Sequence, residues 1–499
     1  MRLLLLSVVL TVSQYLCAQK EVKDFPVPAS VHVVKSSGSV KTGTATIPYT
    51  AYTGYLDLKN DTGKMIAKVF FTYYRKENEA VEKRPLTFAF NGGPGSSSVW
   101  LHMGGLGPKR VKLEKDGTAP APPYQIINNE YTWLDKTDLV FIDPVATGFS
   151  QPASGESPRQ FHGFNEDVQS VGSFIRHFLS RFERWGSPKF LAGESYGTTR
   201  AAGLAKFLQD NYRIYMNGIF LISPVLNFGT NDYYVGHDLP RALYIPSYTA
   251  AAWYHKKLAP ALQADLQKAL KESEEFALGA YATALLKGDW MSETEKQQIA
   301  EKMSYYTGLS KAYCLQANLR VDENRFYKEL RRSEGLTIGR LDARFTGRDM
   351  DDAGEYVSYD PSFSNIDGPF TTAMNDYINR DLLFKEEKAY NIFGNVYPWN
   401  YNNVQNKFLN VAENLRDAMT KNPSLKVYVG SGYYDFATPY FTAKYDVAHM
   451  FLRKEAQGNV RHYFYNSGHM YYINEPDMVQ FKKDVNEFFD WSLRPSTQP

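Results

Sequence analysis

Ser195 stands between two glycines in Gly193-Glu194-Ser195-Tyr196-Gly197, after the apolar run Phe190-Leu191-Ala192 and before a helix-like stretch at 201–208. A Gly-x-Ser-x-Gly turn between strand and helix is a nucleophile elbow. It lifts the serine oxygen to the sheet edge, within reach of a histidine and of backbone N–H groups. Glycines flank the serine because side chains in so tight a turn would clash. Alone the pentapeptide says little: with glycine and serine each near ~7% of residues, chance places one in roughly one chain in six of this length.

An elbow serine needs an acid and then a base later in the chain, each in a loop after a strand. Of nine histidines, only His449, His462 and His469 fall in the C-terminal part. His462 lies inside the strand pattern 461–465 and His449 on a helix, 440–452. His469 follows Asn466-Ser467-Gly468 just past the strand and is the candidate base. Asp435 follows the strand pattern 426–429 and is the candidate acid, holding the imidazole in the right tautomer. Asp446, on the next helix, and Asp477, after the histidine, fit the order badly. Acyl chemistry also needs an oxyanion hole. One donor is the N–H of Tyr196, and the second comes from the Gly-rich run 91–98 that follows the strand pattern 86–90. That run lacks the Gly-Lys-Ser/Thr ending of a phosphate loop.

The elements that must position these residues are legible as an alternation. Strand patterns at 54–58 and 67–74 flank the turn Asn60-Asp61-Thr62-Gly63. Others recur at 86–90, 139–142, 190–192 and 218–222, with a helical pattern at 165–182. Strands alternating with helices predict an α/β fold with a mostly parallel central sheet. Residues 19–50 read as an extended lead-in. Beyond about 240 the chain becomes helical and charged at 258–270, 274–286 and 292–303, and then polar and loop-like over 337–368. Strands return at 426–429 and 461–465. The expected organisation is a signal peptide over 1–18, a core over 19–227, a mainly helical cap insertion over 228–392, and a second core part over 393–499.

Met1-Arg2 and the short apolar block Leu3–Leu10, then Cys17-Ala18-Gln19, fit an export signal cleaved after Ala18. Its loss leaves Cys314 as the single cysteine. An exported chain with no disulfide points to a bacterial envelope, periplasmic or secreted. No segment is long and apolar enough for stable membrane insertion. Lys+Arg of 56 against Asp+Glu of 54, without a long charge run, argues against a nucleic-acid partner. The 36 Tyr and 31 Phe are spread along the chain, which suits core packing. No metal cluster, nucleotide loop or cofactor motif is present, so the expected cofactors are none. Oligomeric state is left open.

Four blocks now stand together: Asn91-Gly92-Gly93-Pro94-Gly95-Ser96-Ser97-Ser98, Ile142-Asp143-Pro144 with Thr147-Gly148-Phe149-Ser150, the elbow pentapeptide, and Gly468-His469-Met470. In order and type they resemble the signatures of the serine carboxypeptidase family. The resemblance implies an α/β-hydrolase fold with a helical cap, and peptide substrates with a free C-terminus. It supports Ser195, Asp435 and His469 as the triad, with Gly93 and Tyr196 giving the oxyanion N–H groups. It also implies that Asn91, Gly92 and Glu194 bind the substrate's terminal carboxylate. A glutamate can hold a carboxylate only when protonated, because two bare carboxylates repel. The family places a second acid shortly before a Gly-Pro pair to share that proton, and here Gly105 stands in its place. Ala89 and Ser96 replace a common tryptophan and a disulfide cysteine. An esterase or acyltransferase would use the same triad without needing Asn91 and Glu194, and a binding protein would need no intact triad. Arg200, just after the elbow, reads as one half of a helix-surface ion pair.

Overall fold

The computed structural model describes residues 32–494; the expected signal segment, 1–18, lies outside them. The sheet begins as an antiparallel meander of β1 (Val33–Thr42), β2 (Ala45–Lys59) and β3 (Met65–Lys76). The β2–β3 turn is held as its sequence suggests: Asn60 Oδ1 accepts the N–H groups of Thr62 and Lys64 at 3.1 and 3.0 Å. Residues 33–50 are therefore not a lead-in. β1 buries only Ser36 and Val40, and so faint an apolar alternation hides a strand.

The remaining strands are β4 (Leu86–Phe90), β5 (Asp138–Ile142), the short β6 (Gln151–Pro152), β7 (Lys189–Ser195), β8 (Gly218–Pro224), β9 (Lys426–Gly432) and β10 (Val460–Tyr465). Their order is β1-β2-β3-β5-β4-β7-β8-β9-β10, with β6 beside β3. From β5 to β10 all neighbours are parallel. Both faces of a parallel sheet are covered, which is why β4, β5 and β8 are buried from end to end and, apart from Thr87, Asp138 and Ser223, apolar rather than alternating.

On one face pack α1 (Phe164–Arg181), α2 (Tyr196–Tyr212) and, from the C-terminal part, α9 (Ala412–Lys421); Phe174, Phe178, Leu204, Leu208 and Leu415 meet Phe71, Phe88 and Leu191 there. Between β8 and β9 the chain adds no strand to this sheet. It builds α3 (Leu239–Tyr254), α4 (Leu266–Phe276), α5 (Ala282–Lys287), α6 (Glu293–Thr307) and α7 (Glu323–Glu329) around their own apolar cluster, which Tyr434, Phe436 and Tyr440 close from the core side. The helix expected over 258–270 is broken at Asp265, whose carboxylate accepts the Lys268 N–H and caps α4.

The loops expected over 337–368 contain an antiparallel pair, Thr337–Ile338 with Thr346–Gly347, and the start of α8 (Pro361–Arg380). Pro361 and Pro369 disguise α8 in the sequence, although proline suits a first helical turn and Asp360 caps the end. α8 packs Phe370, Met374 and Tyr377 on the sheet's second face, the face that α11 (Glu475–Ser492) covers with Phe481, Phe488 and Phe489. The helix expected over 440–452 is α10 (Tyr440–Ala448), and it ends with His449 as its cap.

Candidate active site

The loops that carry chemistry leave the carboxyl ends of β4, β7, β9 and β10, the edge where parallel α/β sheets bind ligands. Ser195 ends β7 and precedes α2 with φ 58° and ψ −130°, a conformation sparsely populated by residues with a side chain. The surroundings impose it. A Cβ on Gly193 would lie 2.1 Å from the Gly197 oxygen, so only glycine lets the turn close. β4 and β7 pair Phe90 with Gly193, which brings the Gly-rich loop alongside the elbow. The approach is so close that a Cβ on Gly92 would stand 2.4 Å from the Tyr196 nitrogen.

His469 and Asp435 come from the loops after β10 and β9, which are adjacent strands. His469 Nδ1 lies 2.7 Å from Asp435 Oδ2. The Asp435 side chain is fully buried, and its Oδ1 accepts the N–H groups of Ala437 and Thr438 at 2.7 and 3.0 Å. The Thr438 hydroxyl lies 2.8 Å from Oδ2 and 3.2 Å from His469 Nδ1. So fixed, the carboxylate holds the Nδ1–H tautomer and leaves Nε2 as the basic nitrogen. The histidine backbone is held as well: its N–H donates to Leu341 O at 2.6 Å and its carbonyl accepts from Ser223 Oγ at 2.6 Å. Burial works against the imidazolium, but the charge and hydrogen bond of Asp435, with Glu194 assisting, outweigh it and raise the His469 pKa above 6.5.

Glu194 is buried beside this pair. Asn91 Nδ2 donates to its Oε2 at 2.8 Å, and the Tyr472 hydroxyl donates to the same oxygen. Burial pushes the Glu194 pKa up to about 7, against the pull of His469, Tyr472 and Asn91. The missing second acid is thus not needed to raise this pKa. Its space is filled: a Cβ on Gly104 would meet the Tyr472 ring at 2.5 Å, and one on Gly105 would meet it at 3.1 Å. Asn91 is itself fixed, its Oδ1 accepting the Leu101 N–H at 3.0 Å.

Arg200 corrects the surface expectation. Its side chain is fully buried, with Nε 2.8 Å from Asp167 Oδ2 and Nη1 donating to Asn91 O at 2.6 Å, and its guanidinium lies over the Phe90 and Tyr196 rings. α2 is buried on that side because α1 covers it, so the ion pair braces the Gly-rich loop from beneath. The Asp143 block is likewise a brace: Asp143 accepts the Ser98 N–H and the Tyr390 hydroxyl, both at 2.8 Å. Asp446 is buried in α10, and Asp477 accepts from Ser467 Oγ at 2.6 Å, tying down the turn before His469. His462 lies within β10, where burial lowers its pKa to about 4.

Asn91, Gly92, Gly93, Glu194, Ser195 and His469 line one cavity of about 530 Å³, while Asp435 and the Tyr196 ring are packed behind it. A larger hollow of about 690 Å³ between α5 and α6 holds none of these residues. Trp100, Phe363, Ile366 and Phe393 give the cavity that holds Ser195 apolar walls, and Arg340 adds a cation. Sequence reasoning missed Tyr472, Thr438 and Arg340. Tyr472, three residues after His469, offered a signal of proximity but none of direction. Among the described residues no helix is long and apolar enough to cross a membrane.

Comparison with known proteins adds the lineage. The model of the serine carboxypeptidase family matches residues 42–480. Serine carboxypeptidase-like 40 of Arabidopsis thaliana is 28% identical over 207 residues, 40% of this chain and 39% of that protein. Pheromone-processing carboxypeptidase kex1 of Schizosaccharomyces japonicus is 29% identical over 196 residues, 38% of this chain and 34% of that protein. These alignments span about two fifths or less of the relatives' length. Among solved structures, the prohormone-processing carboxypeptidase Kex1(Δ)p of Saccharomyces cerevisiae aligns with a TM-score of 0.51 at 14% identity, over 88% of this chain and 91% of that one. The shared fold is the α/β-hydrolase fold. A family match that runs from the end of β1 into α11 takes in every loop that meets at the cavity, and the chain belongs to the serine carboxypeptidase family.

Proposed function

We propose that this protein is an exported serine carboxypeptidase that removes C-terminal residues from peptides. The observation that carries this reading is one cavity shared by two devices. Ser195 with the His469–Asp435 pair can attack a carbonyl, and Asn91 with Glu194 can hold a carboxylate one residue away. In the proposed reaction His469 Nε2 takes the Ser195 proton as Oγ attacks the last peptide carbonyl. The N–H groups of Gly93 and Tyr196 receive the oxyanion, and His469 then protonates the departing amine. Water, deprotonated by the same imidazole, releases the acyl group. Protonated Glu194, Asn91 and the Gly92 N–H hold the terminal carboxylate, which positions the last bond and no other over Ser195. The segment after β8 supplies Arg340, Leu341 and Phe363 to the cavity, which supports reading residues 228–392 as a cap that sets side-chain preference. Export is inferred from the N-terminal sequence alone.

The test is mass spectrometry of one peptide offered as free acid and as C-terminal amide, from about pH 4 to pH 8, with Ser195→Ala as control. Sequential loss of C-terminal residues from the free acid only, absent in the variant, is the expected result. Cleavage of neither form alongside turnover of simple esters would overturn the peptidase reading in favour of an esterase or acyltransferase.

A further inference from the structure

Arg340 lies in the loop between the short strands Thr337–Ile338 and Thr346–Gly347, far from the motifs in sequence. Its backbone is pinned to the reaction centre. The Arg340 N–H donates to Asp360 Oδ1 at 3.1 Å, and its carbonyl accepts from Phe436, the residue after Asp435, at 3.1 Å. Leu341 N–H donates to Ser362 Oγ at 3.0 Å, and Leu341 O receives the His469 N–H. The side chain is exposed and lines the cavity that holds Ser195 and His469.

No described residue hydrogen-bonds the Arg340 guanidinium or forms an ion pair with it. The carboxylates nearest to it are committed elsewhere. Asp435 is occupied by Ala437, Thr438 and His469, and Asp360 by Arg340's own N–H, Leu341 and Ser362. The phenols of Tyr244 and Tyr327 are near it but neutral, because burial pushes both well above the usual tyrosine range, and Glu323 lies within range. A cation set in a cavity with apolar walls, and saturated by nothing, is built for an anion brought by the ligand. A guanidinium matches a carboxylate through two parallel N–H bonds.

Its position selects which carboxylate. The Arg340–Leu341 backbone is held by the loops of the acid and the base, through the N–H groups of Phe436 and His469, whereas Glu194 is held by Asn91 and Tyr472. Arg340 is therefore anchored on the Asp435–His469 side of the cavity, and none of its hydrogen bonds is to the Asn91–Glu194 pair. Resting on the carboxypeptidase reading, the terminal carboxylate occupies that pair, and the residue left facing Arg340 is the one that becomes the acyl group. We propose that Arg340 is a specificity determinant that favours peptides with an aspartate or glutamate as the penultimate residue.

The experiment compares kcat/KM for peptides differing only at the penultimate residue, Glu, Gln, Leu or Lys, and for matched esters carrying the same acyl residues. It is run on the wild type, Arg340→Gln and Arg340→Glu. A charge-assisted pair predicts a Glu-over-Gln preference of about ten- to hundredfold in the wild type. That preference should level in Arg340→Gln and turn towards Lys in Arg340→Glu. Ratios within one variant cancel any general effect on His469. The esters read Arg340 even if no peptide is cleaved, so failure of the carboxypeptidase reading is separable from failure of this one. A wild type indifferent to the acyl residue, or a preference that survives Arg340→Gln, overturns the proposal. Loss of all free-acid turnover in Arg340→Gln with esters unaffected also overturns it, and assigns Arg340 to the terminal carboxylate instead.

Discussion

Replacing Glu194 by glutamine removes one titration and little else. Asn91 Nδ2 and the Tyr472 hydroxyl both donate to Oε2, so the amide oxygen can take that place and turn its NH₂ towards the cavity, where protonated Glu194 would offer its O–H. With Glu194 titrating at about 7, the wild type holds the donating form at about 90% at pH 6, about 9% at pH 8 and about 1% at pH 9. Glutamine donates at every pH. Normalised to pH 6, kcat/KM of Glu194→Gln on a free-acid peptide should therefore exceed the wild type by about tenfold at pH 8 and about a hundredfold at pH 9. The acidic limb belongs to His469, whose raised pKa requires near-neutral pH for the free base; it should remain in Glu194→Gln and move slightly to lower pH, because the Glu194 charge that helps raise that pKa is gone. The assay is a pH series of kcat/KM on one free-acid peptide and on a simple ester, which needs no carboxylate donor. The ester should show no alkaline limb near pH 7 in either enzyme. A limb that persists near 7 in Glu194→Gln refutes the assignment to Glu194. Loss of free-acid turnover at every pH, with the ester intact, refutes the idea that a neutral donor is what the site requires.

Tyr472→Phe removes a donor that favours ionised Glu194, so the alkaline limb for free-acid peptides should move to higher pH while KM rises about 3–10-fold; a pH profile with an unmoved limb would leave Tyr472 a packing residue only. Arg200→Met strands Asp167 and frees the Asn91 carbonyl, and urea denaturation should show a loss of about 3–5 kcal/mol together with reduced kcat. An unchanged denaturation midpoint would contradict the bracing role. Burial raises the Asp446 pKa to about 8, so the folded chain holds a proton that the unfolded chain releases between pH 4 and 8, and stability on this account falls as pH rises through that window. Asp446→Asn should accordingly raise the melting temperature at pH 8–9 and change it little near pH 4, and equal shifts at both pH values would refute this.

What the chain discloses before folding is set by how far each interaction reaches. The convergence of Ser195, Asp435 and His469 could be read because each stands at or a few residues past the end of a strand, and the parallel register of β4, β7, β9 and β10 carries their loops to one edge. Buried parallel strands announce themselves as apolar runs; β1, with two buried positions, and α8, with prolines at 361 and 369, do not. Arg200 was misplaced because nothing at i±4 reveals that α1 covers that face of α2, and its partners Asp167 and Asn91 lie 33 and 109 residues away. Gly105 shows the same limit from the other side. An absent acid reads as an absent proton only if a neighbouring carboxylate is the sole means of raising a pKa. Here burial does that work, and the Tyr472 ring, 278 residues on from Glu194, occupies the space that the glycines at 104 and 105 leave. A ring over two glycines and a hydroxyl on Oε2 act as one unit: a side chain at 105 would press on the ring, whose hydroxyl donates to Glu194, and force it to give way. Gly105 and Tyr472 are therefore coupled: a side chain at 105 has to move the ring whose hydroxyl donates to Glu194.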